Sequence, residues 1–366
     1  MHLESAMKSA APLPDLADLA AAAAAPTPDG DALAAPWRHG DEAAFWFSRG
    51  AWAMAALVEA WRAAHGGAAP AFWLPDYFCN QSTAPVRASS GRLVFYPIGD
   101  DLEPNWPVCE RMTADGPPDI FVLVHFFGRP ADGAAARRFC DRADSLLVED
   151  GAHALGPEPD IGAVGDAVFY SLHKTLAIPD GGLLLVRQTM IASAMAAAAE
   201  SLGRAAPSAA PWLTKRLVQK LLPGPMARSL IARRGAAFAD DPPFAPLPTT
   251  AAPSPLACRL LARQGRALNS IALARRRNGE ALARALSGET GAAPLFNDLP
   301  LAPYRLAVRA DDAPALYDDW RRQGIPVETW PDLAPEVTAS PAAHETALAL
   351  RRTVLLLPLH APLDLS

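Results

Sequence analysis

The sequence predicts an α/β fold: a large, mainly parallel sheet flanked by helices, followed by a smaller C-terminal α+β domain. Three observations predict it. Short runs rich in Val, Leu and Phe ("AFWLP", "RLVFYPI", "DIFVLVHFFG", "SLLVED", "AVFYSL" and "GGLLLVR") recur between residues 71 and 187. Helical patterns or turn residues separate them, as expected of buried parallel strands joined by crossovers. After a Pro-rich stretch, "DDPPFAPLPTTAAPSP" (240–255), long helical patterns surround two further strand patterns.

Taken in order, residues 1–38 form an Ala/Pro-rich N-terminal arm. Its "LADLAAAAAAPTPDG" contains Asp18 and follows no basic cluster, so it is not read as a signal segment. "FWFSRGAWAMAALVEAWRAA" (45–64) opens on a Ser-Arg-Gly turn and continues as a helix with Met54, Leu57, Val58 and Trp61 on one face. "RPADGAAARRFCDRAD" (129–144) suits a crossover helix between two strands. The large domain is expected to cover 39–245, with a helical excursion near 204–234. Within it, "PWLTKRLVQKLLPGPMARSLIARRG" (211–235) carries six basic residues and no acidic one, on an amphipathic pattern broken at Pro223 and Pro225. Such a helix is most simply a solvated or subunit-contacting face; a weak contact with an anionic membrane surface is the alternative. The small domain, 246–366, is expected to hold helices over 254–288, the strands "PYRLAVRADD" and "TVLLLPLH", and a helix "APALYDDWRRQG" between them.

Composition narrows the function. A chain of 366 residues with 51% hydrophobic and 20% charged residues has the make-up of a globular enzyme. Its net charge of -6 offers no basic field for nucleic acid. The four cysteines (Cys79, Cys109, Cys140, Cys258) are far apart and show no metal-ligand spacing, which points away from zinc or a disulfide framework and toward a reducing cytoplasm. No uncharged apolar run approaches the ~18 residues of a membrane span.

The basic residues number 33, yet only Lys8, Lys174, Lys215 and Lys220 are lysines. Lys174 lies in "FYSLHKTLAIPDGG", an otherwise apolar strand-to-loop passage. A desolvated lysine can condense with a carbonyl, which arginine cannot do. Other polar groups also fall at strand ends, where ligands of open parallel sheets bind: Glu149-Asp150, Ser171, His125, and Tyr77 with Phe78. An aromatic cofactor with a phosphate tail needs an amine for its aldehyde, an anion opposite its ring nitrogen, a flat stacking partner and amide donors for its phosphate. Lys174, Asp150, Tyr77 or Phe78, and the turn Ser48-Arg49-Gly50-Ala51 can fill those roles. Each piece alone has an ordinary reading: a solvated strand end, a helix N-cap, a Gly-Gly turn, a histidine satisfied by hydrogen bonds. Their joint order carries the argument.

That order resembles the fold-type-I pyridoxal phosphate-dependent transferases, and in detail the DegT/DnrJ/EryC1/StrS family of sugar aminotransferases. The segments concerned are "SRGAWAMAAL", "LPDYFCNQS", "VHFFGRPAD", "VEDGAHALGP", "VFYSLHKTLAIPDGG" and, more loosely, "RRRNGEAL" and "LLLPLH". The resemblance implies pyridoxal 5'-phosphate as cofactor, with Lys174 as its Schiff-base lysine and proton carrier. It implies Asp150 on the pyridine nitrogen, His153 on the ring hydroxyl, Ser171 with Gly50 and Ala51 at the phosphate, and Tyr77 or Phe78 on the ring. It also implies a homodimer, a keto-sugar nucleotide substrate and an amino donor such as glutamate, with a product destined for surface polysaccharide or a glycosylated metabolite. The chain departs from the family pattern at four points. Lys174 lies three positions after Ser171 rather than five, and His153 stands where Gln is usual. The phosphate turn reads Ser-Arg-Gly, and Cys79 occupies a common stacking position. The C-terminus also stops where a closing helix would be expected. A pyridoxal phosphate enzyme with a non-sugar substrate, and a non-catalytic homologue that binds cofactor or sugar nucleotide, are the alternatives.

Overall fold

The computed structural model describes residues 9–187, 189–233, 250–286 and 291–360, together with residue 238 and the short strands 4–5 and 363–364. Lys8, Arg234 and most of the Pro-rich boundary (240–249) lie outside the described residues. The strands, in chain order, are β1 (Glu4–Ser5), β2 (Ala43–Phe47), β3 (Ala71–Pro75), β4 (Arg92–Tyr96), β5 (Ile120–Val124), β6 (Leu146–Asp150), β7 (Ala167–Ser171), β8 (Gly182–Val186), β9 (Ala292–Pro294), β10 (Arg305–Ala310), β11 (Glu328–Thr329), β12 (Val354–Pro358) and β13 (Leu363–Asp364). Strands β2 to β8 form a seven-stranded sheet in the order β2-β8-β7-β6-β5-β3-β4. Its pairings from β7 through β6, β5 and β3 to β4 are parallel, while β8 runs antiparallel to both neighbours. All six strands expected in this region are present. β2 is an addition, lying just before the Ser-Arg-Gly turn.

The sheet is buried on both faces, and strict alternation divides its side chains between two cores. Ala167 and Phe169 of β7, with Leu184 and Val186 of β8, join the larger core beside α3 (Gly50–Ala64). Val168, Tyr170, Leu183 and Leu185 face the second core. The N-terminal segment belongs to that second core. Residues 16–37, expected only as an arm, form α1 (Leu16–Ala24), α2 (Gly30–Ala34) and a short turn. Ala22, Leu33 and Trp37 are buried there, and Trp37 Nε1 donates to the Leu155 carbonyl at 3.1 Å. Asp15 and Asp29 accept from first-turn amides of these helices, which explains how so Ala-rich a stretch stays helical.

The other large-sheet helices are α4 (Asn80–Ala88), α5 (Trp106–Met112), α6 (Gly133–Ala143) and α7 (Thr189–Ser201). As expected, α6 is the crossover between β5 and β6, capped by Asp132 on the Ala135 amide. The basic excursion is two helices, α8 (Ala210–Leu221) and α9 (Gly224–Arg233), broken at the expected prolines. Next come α10 (Pro255–Gln264) and α11 (Leu268–Leu286). Although α10 follows the Pro-rich boundary, its Leu260 and Leu261 enter the second core of the large sheet. The four-stranded sheet β11-β12-β10-β9 has its own core, which begins in the chain at Leu282 and is sealed by Tyr317 and Trp320 of α12 (Ala313–Arg322). Two more helices, α13 (Pro335–Ala339) and α14 (Glu345–Thr353), complete this part.

Candidate active site

The carboxyl ends of β6 and β7, the start of β8 and the start of α3 meet at one edge of the large sheet. Register requires it, since Ser171 pairs with Gly182 and Phe47 also pairs with Gly182. The Ser48-Arg49-Gly50 turn is therefore pressed against the first residue of β8. A Cβ on Gly182 would come within 2.5 Å of the Arg49 carbonyl carbon, and a Cβ on Gly50 within 2.5 Å of Ser171 Oγ. Only glycine permits either approach. Here the Gly-Gly pair does more than turn the chain.

A cavity of about 840 Å³ opens at this edge, and residues after β10 close its other side. Of the residues singled out in the sequence, Lys174, Asp150, His153, Ser171, Gly50, Ala51 and Phe78 all line it. Tyr77 does not. It is fully buried and stacked on Trp330 with centroids 4.3 Å apart, and burial pushes its hydroxyl far above the ordinary tyrosine range. Phe78 is thus the aromatic of this pair that faces the cavity. Cys79 also lines it, but its thiol donates to Asp332 and burial pushes it up to about 11, so it is held un-ionised.

Lys174 follows β7 in a single 3-10 turn, and its Nζ lies 3.2 Å from His153 Nε2. Ser171 Oγ accepts from the Gly50 amide at 3.1 Å, so the strand-end hydroxyl and the N-terminus of α3 are already in register. Ser48 is not the helix cap; its hydroxyl donates to the Thr250 carbonyl. The N-cap position belongs to Arg49, which makes no capping bond and spends one guanidinium nitrogen on the carbonyls of Ser48 and Pro179. Asp150 accepts from the Ala152 amide at 2.7 Å. Burial pushes its carboxyl up to about 6, with Lys174 and that amide opposing. His153 is pushed well below the usual histidine range by burial first, then by Lys174 and Arg305, so it is a neutral imidazole.

His125 is not part of this cavity. Its Nε2–H donates to Glu149 at 2.9 Å, and its Nδ1 accepts from the Ala131 amide. Glu149 accepts in addition from the amides of Gly162, Val164 and Gly165, making the pair a clasp for the loop after β6. Sequence reasoning missed Tyr304, Glu328, Trp330 and His173, all of which line the cavity. Tyr304 lies in the expected strand pattern "PYRLAVRADD", while Trp330 follows β11, a two-residue strand the sequence pattern does not show. Only the packing of the smaller sheet against the larger brings them to the site.

The residues fit pyridoxal phosphate. A buried carboxyl with one amide partner waits for a cationic ring nitrogen, a lysine faces the same space, and the glycine-lined turn with Ser171 forms an anion cradle at a helix N-terminus. Among the described residues no cluster suited to a metal ion occurs, and no helix is long and apolar enough to cross a membrane.

Comparison with known proteins agrees with this geometry. Residues 117–213 match the model of the DegT/DnrJ/EryC1/StrS aminotransferase family, as the sequence motifs lead one to expect. The segment includes Asp150, His153, Ser171 and Lys174. Among solved structures, the aminotransferase TlmJ from Streptoalloteichus hindustanus is similar at 22% identity, with 96% of this chain and 92% of that chain covered and a TM-score of 0.68. PseC from Helicobacter pylori, an aminotransferase of pseudoaminic acid biosynthesis, is similar at 15% identity, with 99% and 95% covered and a TM-score of 0.69. DesV from S. venezuelae, solved with a ketimine intermediate, is similar at 18%, with 94% and 88% covered and a TM-score of 0.67. The fold is that of these enzymes.

Proposed function

From a chain that carries the DegT/DnrJ/EryC1/StrS aminotransferase match over residues 117–213 and has the fold of solved sugar aminotransferases, we propose a pyridoxal phosphate-dependent aminotransferase. Its substrate is a keto-sugar nucleotide and its amino donor glutamate, in the making of a surface polysaccharide or glycosylated metabolite in the cytoplasm. The observation that carries this reading is the convergence of Lys174, Asp150 and the Ser171–Gly50 cradle on one cavity.

When bound, the cofactor supplies a carbonyl for amine capture and an electron sink for the carbanion formed on proton loss. The chain's own residues do the rest. Ser171 Oγ and the amides at the start of α3 hold the phosphate. Asp150, unpaired except for one amide, is the anion for the ring nitrogen, and a protonated ring nitrogen restores its charge. Lys174 Nζ would serve as the proton carrier in both half-reactions. Phe78 and Ala152, both lining the cavity, would help exclude water from a bound cofactor. Tyr77 has no part in this reading.

The cavity is larger than the cofactor's own volume requires, which supports a second, bulky substrate. A homodimer belongs to the proposal. It draws support from helices α8 and α9, where Val218, Leu221, Met226 and Leu230 are exposed beside Lys215 and Arg233. The same face is the one proposed for weak contact with an anionic membrane surface.

The absorption spectrum of the purified protein tests the function. Added pyridoxal phosphate is expected to give a near-visible band that collapses with glutamate and is absent in Lys174→Ala. A band that survives in Lys174→Ala would remove Lys174 from its role. No band in the wild type would leave only a binding protein.

A further inference from the structure

His153 stands where its likeness to the family leads one to expect glutamine, and its surroundings decide which ring nitrogen bears the proton. The Phe127 amide donates to His153 Nδ1 at 3.2 Å. That amide points inward because Phe127 has a left-handed backbone, φ 59°, which is costly for an aromatic residue. The conformation is pinned from the other side, since the Phe127 carbonyl accepts from the Tyr304 amide at 2.9 Å. The imidazole cannot turn over. It is stacked between Phe127 and Tyr304, with interplanar angles of 5° and 9°, and Trp330 meets its edge at 88°.

With Nδ1 occupied as an acceptor, a neutral imidazole carries its proton on Nε2. Nε2 is the atom 3.2 Å from Lys174 Nζ. An ammonium has no lone pair and would meet this N–H donor head-on, whereas an amine accepts from it. Asp150, Glu328, Arg49 and Arg321 also line the cavity. The direct contact is with His153.

We propose that the Phe127 amide locks His153 as the Nε2–H tautomer, and that this N–H in turn orients Lys174 Nζ when its lone pair attacks a carbonyl carbon. His153 is then a positioning residue for the nucleophile before any cofactor arrives. The capture step balances within the site. The Nζ lone pair forms the C–N bond as the carbonyl π pair moves to oxygen and one N–H proton passes to that oxygen. The second N–H proton then joins the hydroxyl, which leaves as water as the nitrogen lone pair closes the C=N bond. This inference rests on the proposed function for its purpose, but its test needs no cofactor.

Two measurements decide it. Nitrogen-15 spectra of the cofactor-free wild type should show the His153 ring protonated at Nε2 and unprotonated at Nδ1; the opposite tautomer, or a doubly protonated ring at pH 7, overturns the proposal. The second measurement is reductive methylation with formaldehyde and cyanoborohydride, read by peptide mass spectrometry, with Lys215 and Lys220 as internal references. His153→Gln keeps an acceptor for the Phe127 amide and a donor for the lysine, so Lys174 labelling relative to the references should stay near wild type. His153→Glu has the same shape but presents an acceptor, and the ratio should fall by about tenfold or more. Equal labelling in the two variants overturns the proposal. A missing pyridoxal phosphate band beside a normal tautomer would overturn the function alone.

Discussion

Glu149 and Asp150 are adjacent and both buried, yet their carboxyls shift in opposite directions. Burial raises both, but for Glu149 the His125 contact and the loop amides outweigh it, and the carboxyl ends below its ordinary value. Asp150 has only Lys174, one amide and distant His125 against burial, and is pushed up to about 6. An aspartate raised in the folded state costs stability once the unfolded chain releases its proton. The loss therefore sets in above about pH 4, is complete above about pH 6, and amounts to at most about 3 kcal/mol. Asp150→Asn removes that cost. We expect urea unfolding of the cofactor-free protein to show Asp150→Asn as the more stable form at pH 7, with the advantage gone at pH 4. Turnover should fall by at least about 100-fold, because the ring nitrogen loses its anion. A variant neither stabilised nor impaired would mean that Asp150 is a solvated strand end after all.

At the scale of elements, strands and crossover helices were legible because burial on both faces writes continuous apolar runs, bounded by turn residues, into β3 to β8. β2 was not read as a strand. Its "AAFWF" runs straight into the Ser-Arg-Gly turn, and its antiparallel place beside β8 at the sheet edge leaves no local signature. The N-terminal segment was read as an arm because Ala-rich helices carry little periodicity; tertiary packing on α10 gives it order. The site motifs were legible because four of their residues sit at or just after two adjacent strand ends. Phe127 was not, since nothing in "VHFFGR" announces a left-handed aromatic. The helix pair α8–α9 forms where the sequence expects it, and none of the residues of α8 is buried, which makes it the face to test for the proposed dimer. Leu221→Glu with Leu230→Glu should weaken self-association at least tenfold in sedimentation equilibrium, since each places a charge on a face otherwise apolar or basic. If the dimer survives and only binding to anionic vesicles is lost, the face belongs to a membrane surface instead.

At the scale of the whole molecule, the cavity is a joint between two sheets: the smaller has a core of its own on one side, while its Ala307, Val354 and Leu356, with Trp330, join the large sheet's core on the other. The large sheet supplies Asp150, Ser171 and Lys174; the part built around the smaller sheet supplies Tyr304, Glu328 and Trp330. Direct ties between the two include the Tyr304 amide on the Phe127 carbonyl, His344 on Asp76, the Cys79 thiol on Asp332, the two-bond Arg87–Glu336 ion pair, Arg309 on Asp100, the Tyr77–Trp330 stack, and Arg275 on the Thr175 carbonyl beside Lys174. Arg275 is fully buried with carbonyls as its acceptors, and burial lowers it to about 9. It is thus a connector that costs desolvation as well as supplying bonds. A ligand filling the joint adds contacts to both sides at once and binds only the folded state. At a hundredfold excess over Kd that is worth about 2.7 kcal/mol. Pyridoxal phosphate should therefore raise the midpoint of thermal unfolding by several degrees. Amide exchange should slow in β10 and β12 as well as in β6 and β7. Lys174→Ala should keep part of both effects, because the phosphate cradle and Asp150 remain. Protection confined to β6 and β7 would mean that the smaller sheet only covers the site and is not coupled to it.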